Sequence, residues 1–305
     1  MGSRARIVIA GVDHATARAA ARAAFDRIAC LERTLSDWMI DSEVARVAQA
    51  VADGPGAIEV SEDLARALCC ALVMWQVTDG RFDPALGALT KLWRRAKREG
   101  SLPSEAEIAL ARRATGADAL RLEGRTLMIN RPGVSLDFGA IGKGWAADEA
   151  LMVLRAHGCG AALIDFGGDL VSGDAPLGES GWRVRIGTAG DVIRLPPGSA
   201  VATSGDAERS LDADGTRRSH LIAPDVGLGV IGIPEITVMA APHDGTADHL
   251  SGACGPGAIA DALATALGTS DQAARERLLR HRPEVTVWIN DGLGTTRLSP
   301  SLGAA

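Results

Sequence analysis

Ser135-Leu136-Asp137-Phe138-Gly139-Ala140-Ile141-Gly142-Lys143-Gly144 joins a short apolar run to a glycine-rich turn and then to a helix. The first part reads as a strand with one buried acid, Asp137. The turn carries glycines at 139, 142 and 144. The helix that follows, Trp145-Ala146-Ala147-Asp148-Glu149-Ala150-Leu151-Met152-Val153-Leu154, stops at Gly158, a C-cap residue. Such a turn aims free backbone N–H groups outward, with the positive end of the helix dipole behind them. Lys143 adds a full positive charge, and the corner suits a diphosphate. It is not a Walker A loop, because Gly144 stands where a Ser or Thr should hold magnesium. Nor is it a dinucleotide fingerprint, because the glycine spacing differs. The same residues also describe a plain strand-to-helix corner with a solvated lysine.

Working outward toward the N-terminus, residues 5–10 read as a strand. Residues 15–35 read as a long helix with Phe25, Ile28, Leu31 and Leu35 on one face. Asp41 or Ser42 caps a shorter helix, and Ser61 caps another that ends near Gly80. Arg81-Phe82-Asp83-Pro84 is a non-helical entry into a segment ending at Leu92-Trp93. Ser104-Glu105-Ala106-Glu107 is a capping box. Residues 120–122 and 126–129 flank a hairpin turn.

On the C-terminal side, residues 162–166 form a strand ending in Gly167-Gly168-Asp169. Trp182, Val184 and Ile186 alternate with Arg183 and Arg185, the period of a half-buried strand. Asp214-Gly215 signals a hairpin turn. Residues 236–240 read as a strand, 258–268 and 271–281 as helices, and 285–289 with 295–298 as a last hairpin. Helices and hairpin-linked strands mix, so the fold class is α+β with largely antiparallel sheets. No long linker divides the 305 residues, which read as one domain over 1–305.

Composition narrows the function. Apolar residues make up 47% of the chain, enough for a large core. A net charge of −6 and a pI near 5.6 speak against a nucleic-acid binder. Five cysteines match neither a disulfide framework nor a zinc spacing, so buried free thiols and a reducing compartment are expected. No export signal or membrane span is visible, so the chain as it stands reads as cytoplasmic, or periplasmic if a leader was removed.

Several residues have types suited to chemistry. Asp261 and Thr265 sit at i and i+4, on one helical face. Both are hard oxygen donors of the kind magnesium takes. The alternative is that Thr265 bonds back to the carbonyl of residue 261 while Asp261 faces solvent. Ala202-Thr203-Ser204-Gly205-Asp206 is a small polar turn after a strand, suited to binding a phosphate or a ring edge, or else only a turn. His220 lies on an apolar strand, as a structural histidine or a general base. Trp38, in a polar loop, and Phe82 either stack on a planar ligand or cover a core edge.

These pieces occur in the order found in one known family. The chain resembles the FAD:protein FMN transferases, or ApbE-like flavin transferases, from about residue 6 to 290. The strongest matches are 136–148 with DFGAIGKGWAAD, 165–169 DFGGD, 202–206 ATSGD, 219–224 SHLIAP and 260–267 ADALATAL. Weaker matches are 36–46 SDWMIDSEVAR and 80–93.

The resemblance implies a T-fold-like arrangement of antiparallel sheets with packed helices. It implies an enzyme that uses magnesium to cleave FAD, passes FMN as a phosphoester to a Thr or Ser of an acceptor protein, and releases AMP. A diphosphatase making FMN and AMP, or a protein that only holds FAD, are the alternatives. Asp137 and Lys143 match FAD contacts, and Arg81, Phe82 and Asp83 match a segment on the flavin nucleotide. Trp38 stands where an aromatic lies against the flavin. The Ala140 carbonyl, Asp261 and Thr265 match magnesium ligands, and His220 a base for the acceptor hydroxyl.

The chain also departs from the family pattern. Ala48 replaces an expected Asn, Asp225-Val226 replaces Arg-Thr, and the family's Met-Gly-Thr start is absent. Residues 243–249 form a Gly-rich excess whose His243, Asp244, Asp248 and His249 read as a solvated loop.

Overall fold

Local capping starts most of the helices. In the computed structural model, which describes residues 3–187, 190–205, 210–213, 215–242, 252–280, 282, 284–292 and 294–298, side chains of Asp13, Ser42, Ser61, Ser104 and Asp271 accept first-turn backbone N–H groups. The elements run β1 (Ala5–Ile9), α1 (His14–Leu35), α2 (Glu43–Ala50), β2 (Gly56–Glu59), α3 (Glu62–Val77), α4 (Gly87–Glu99), α5 (Glu105–Arg113), β3 (Leu120–Glu123) and β4 (Thr126–Ile129). They continue with α6 (Gly142–Ala156), β5 (Ala162–Phe166), β6 (Asp169–Ser172), β7 (Trp182–Ile186), β8 (Asp191–Leu195), β9 (Ala200–Ser204) and β10 (Ser210–Ala213). Then come β11 (Thr216–Ala223), β12 (Leu228–Ile231), β13 (Glu235–Ala240), α7 (Pro256–Gly268), α8 (Gln272–Leu279), β14 (Val285–Asn290) and β15 (Thr295–Leu298).

A seven-stranded sheet, ordered β1-β5-β6-β9-β13-β14-β15, is the floor of the molecule. Every strand pairing among the described residues is antiparallel, as the α+β reading expects. The period of two decides what each face carries. Ala162, Ile164, Val171, Ala200, Ala202, Ile236 and Val238 face α6 and α7 in the main core. Leu163, Leu170 and Val201 face the other way, onto Val184, Ile186 and Leu195 of the β7–β8 hairpin. Helices α1 and α3 lie over α6 and α7 as a further layer.

A buried carboxylate ties the helical layers together. Glu149 of α6 accepts from Arg27 of α1 and from Arg66 of α3, the latter at 2.5 Å. Arg27 also forks onto Asp63 of α3, with both bonds at 2.6 Å. Glu149 is buried, so a double guanidinium partnership is what its charge requires.

Four expectations are corrected. Residues 134–138 are buried but form no strand and join no sheet; their backbone is held by Gly87 N–H on the Ser135 carbonyl and Asp137 N–H on the Pro84 carbonyl. Phe25 is exposed, and Ala20 and Ala24 fill its side of the α1 core face instead. The segment after Pro84 continues as α4 well past Trp93, to Glu99, closed by Gly100 in the left-handed region. Finally, Cys70 of α3 and Cys254, just ahead of α7, form a disulfide across 184 residues of sequence. Adjacent Cys69 is exposed and Cys159 is a buried thiol. The loop at 243–249 and the Asp214 half of the predicted turn lie outside the described residues.

Candidate functional site

The first turns of α6 and α7 cross without side chains between them. A Cβ on Gly144 would run into the Gly257 carbonyl, and one on Gly257 would stand 2.6 Å from the Gly144 carbonyl oxygen. Only glycine at both positions allows this approach. Gly255, at the N-cap of α7, offers no side-chain cap. Asp148 of α6 does the capping instead, accepting from Gly257 and Ala258 N–H at 2.9 Å each. Burial pushes the Asp148 carboxyl up to about 7, against the pull of those two N–H groups.

The close crossing sets Lys143 opposite Asp261. The ammonium Nζ lies 3.0 and 3.2 Å from the two Asp261 oxygens, and Gly144 N–H donates to Asp261 Oδ2 at 3.2 Å. On the other side Nζ lies 2.9 Å from Asp169 Oδ2. Burial pulls Lys143 down, but the carboxylates of Asp169 and Asp261 outweigh it and hold the ammonium above the ordinary lysine range. Burial pushes the Asp169 carboxyl up to about 7, with Lys143 pulling it back.

Strand periodicity explains why Asp169 is there. It stands two residues before Val171 on β6, so it shares the helix-facing side of the sheet. Ser204 stands two residues after Ala202 on β9 and faces the same way. Its Oγ lies 3.3 Å from Thr265 Oγ1. Asp261 is 3% exposed and Thr265 half-buried, so the pair faces inward, not toward solvent.

The structure thus brings together Lys143, Asp169, Ser204, Asp261 and Thr265. Asp169 and Ser204 lie in the DFGGD and ATSGD matches, but neither was given an individual place among the site residues. Beyond those matches, their period-two offset from apolar neighbours was the signal for their side of the sheet, and it needed the sheet's facing to be interpreted. The glycine corner differs from expectation as well. Gly142 N–H bonds the Phe138 carbonyl at 2.7 Å and Gly144 N–H bonds Asp261, so two of its amides are already used. Residues 202–204 belong to β9, not to a turn, and Asp206 lies outside the described residues.

The other candidates lie in separate surroundings and at different depths. Asp137 is buried and accepts Gly139 N–H at 2.7 Å, closing the turn before α6; Ala140 lies in that turn. Asp83 is buried and accepts the N–H groups of Ala85 and Ala117; burial raises its carboxyl above the ordinary range. Phe82 lies in the main core at 2% exposure, so its ring packs on protein. Arg81 pairs with Asp225 at 3.1 Å. His220 sits half-buried on β11, in the separate sheet β10-β11-β12. Its neighbour Leu221 packs beside Gly268 at the far end of α7.

Trp38 is 69% exposed, and the Arg94 guanidinium lies 3.9 Å from its ring centre. Asp37 fixes that guanidinium at 2.5 Å. Burial, then the charge of Asp137, raises the Asp37 carboxyl, while Arg94 opposes them. A groove of about 450 Å³ opens here, lined by Trp38, Met39, Ile40, Ala48, Lys91 and Leu136. Leu136 links it to the stretch that leads into α6.

Among the described residues no three His, Cys, Asp or Glu side chains gather around one point. A divalent ion at Asp261 would therefore rely on oxygens other than carboxylates, such as the Thr265 hydroxyl one turn along the same helix. That donor set is entirely oxygen and fits magnesium.

Comparison with known proteins identifies the family and the fold. A model described as the ApbE family matches residues 1–289. A Rhodobacter capsulatus protein named FAD:protein FMN transferase is 32% identical over 270 residues, covering 84% of this chain and 47% of its own length. A Vibrio cholerae protein of the same name is 30% identical over 201 residues, covering 63% and 60%. One from Treponema pallidum is 32% identical over 251 residues, covering 73% and 67%. The chain thus spans about half to two thirds of the length of these relatives. Among solved structures, the ApbE protein of Thermotoga maritima superposes with a TM-score of 0.80 at 26% identity, over 97% of this chain and 94% of that one. The Vibrio cholerae flavin transferase ApbE, at 23% identity and a TM-score of 0.78, shares the fold over 99% and 94%.

Proposed function

The chain belongs to the ApbE family, and on that premise we propose that it is a magnesium-dependent flavin transferase. It cleaves FAD, attaches FMN through a phosphoester to a Thr or Ser hydroxyl of an acceptor protein, and releases AMP. The observation that carries this reading is the oxygen cluster of buried Asp261 and Asp169 with half-buried Thr265 and Ser204, where Lys143 pairs with both carboxylates. The matched span supports a single ApbE-like domain over 1–305.

Asp261, Thr265 and the Ala140 carbonyl are the groups that would hold magnesium. When bound, that ion neutralises charge building on the phosphoryl oxygens. Lys143 adds a positive charge on the same side, where the departing AMP becomes more negative. Trp38, with Arg94 fixed on its ring, presents an exposed aromatic face for the planar flavin. Asp137 and Asp83 act through the backbone, each holding a turn that positions its neighbours. Phe82, buried behind Arg81, supports that segment from the core. Arg81, pinned by Asp225, borders the nucleotide side. His220 accepts the proton of the acceptor hydroxyl.

No helix among the described residues is long and apolar enough to cross a membrane. The Cys70–Cys254 disulfide supports an oxidising compartment, in place of the reducing one that the cysteine count suggested.

The test is incubation with FAD and magnesium, with and without a candidate acceptor. Flavin fluorescence and a mass increase on the acceptor are expected, together with AMP. AMP released equally without acceptor, and no labelled protein, would replace the transferase with the FAD diphosphatase. FAD bound and left intact would make the chain a flavin carrier.

A further inference from the structure

We propose that Lys143 is the built-in counter-ion of the metal site, displaced when a divalent cation takes Asp261, and that Asp169 is the seat that holds the displaced lysine. The proposal rests on the metal reading of Asp261 and Thr265 given above.

The geometry makes the two cations exclusive. Lys143 Nζ stands 3.0 and 3.2 Å from the two oxygens of Asp261 and so engages both of them. A magnesium ion bound to the same carboxylate sits about 2.0–2.1 Å from an oxygen. Two cations that close, in a site shielded from water, repel strongly. One must leave, and the lysine is the one on a flexible stem.

Both ends of the exchange are prepared. Gly144 N–H donates to Asp261 Oδ2, so the backbone aims this carboxylate independently of the lysine. Asp169 already holds the same ammonium at 2.9 Å, and its Oδ1 is fixed by Thr203 N–H at 3.3 Å. The lysine side chain is 24% exposed, against 4–5% for its two partners, so it is the least enclosed of the three. Once off Asp261, the ammonium has one anionic partner and free hydrogens for another. An incoming diphosphate supplies that second partner. Metal and diphosphate then favour each other's binding, although each has its own protein ligands. Asp169 is a positioning residue here, acting on the diphosphate only through Lys143.

The sequence contains three lysines, Lys91, Lys97 and Lys143, which makes the motion directly observable. In the parent chain labelled with 13C-lysine, the Lys143 Cε signal should shift as Mg2+ is added, while the other two stay in place. A Lys143 signal that does not move while Mg2+ binds would overturn the exchange.

Mn2+ affinity, read by electron paramagnetic resonance with no nucleotide present, gives the second arm. Lys143→Ala should bind Mn2+ about tenfold more tightly, because the resident competitor is gone. Unchanged or weaker binding in that variant overturns the proposal, and loss of binding in Asp261→Asn then shows that the metal reading still stands. No Mn2+ binding in the parent would remove the metal reading and the proposal together. Asp169→Asn should weaken Mn2+ in the parent background, where the lysine loses its other seat, and change little in the Lys143→Ala background. Equal weakening in both backgrounds would make Asp169 a metal ligand and overturn its positioning role. If Lys143→Ala does not fold, the labelled-lysine titration of the parent decides alone.

Discussion

Gly144 and Gly257 meet backbone to backbone where α6 crosses α7, and this contact sets the distance between Lys143 and Asp261. An added methyl group at 144 has no flexible side chain to push aside, only the carbonyl of Gly257. Gly144→Ala should therefore destabilise the fold by about 1–3 kcal/mol and widen the crossing. A melting temperature close to the parent's, with turnover unchanged, would mean that the helices separate freely and the contact sets nothing.

Asp148 couples the same crossing to pH. Its carboxyl is raised from 3.8 to about 7, so between those values the folded chain holds a proton that the unfolded chain has released. The contribution to stability is full below the unfolded value and is lost as pH rises through about 7. Urea midpoints should fall across this range in the parent, and the slope should flatten in Asp148→Asn. Superimposable pH profiles would remove Asp148 as the source of the slope.

The Cys70–Cys254 bond closes 184 residues of sequence and anchors the entry to α7 on α3. Cys70→Ser should cost about 2–5 kcal/mol, through the freedom restored to the unfolded chain. Adding reductant to the parent should lower its urea midpoint by a similar amount and leave the variant unaffected. Equal midpoints for parent and variant in oxidising buffer would contradict this.

His220→Ala should separate binding from chemistry. A base for the acceptor hydroxyl acts in the transition state and not on bound FAD. FAD affinity should stay near the parent's while transfer falls by roughly 10² to 10⁴. If melting temperature and FAD affinity fall together with the rate, the histidine is a structural member of β11.

Much of the local architecture is legible in the residues themselves. Ser42, Ser61 and the Ser104–Glu107 box announce helix starts because a cap bonds only two or three residues ahead. Alternation marks β7 because neighbouring side chains point to opposite faces. The ordered motifs point to the family, and Asp261 with Thr265 share a helix face by spacing alone. Tertiary structure alone decided the rest, because it depends on contacts between residues far apart in sequence. The exposed Phe25 and the unpaired stretch ahead of Gly139 follow from what packs beside them, not from their own preferences. Lys143 finds Asp261 across 118 positions, and Asp148 caps α7 across 109. Cys70 meets Cys254 only once α3 lies beside the start of α7. Asp169 joins the site because the sheet turns one face toward the helices. A carboxylate's sequence neighbours do not reveal which cation will reach it, and that depends on two glycines letting two helices touch.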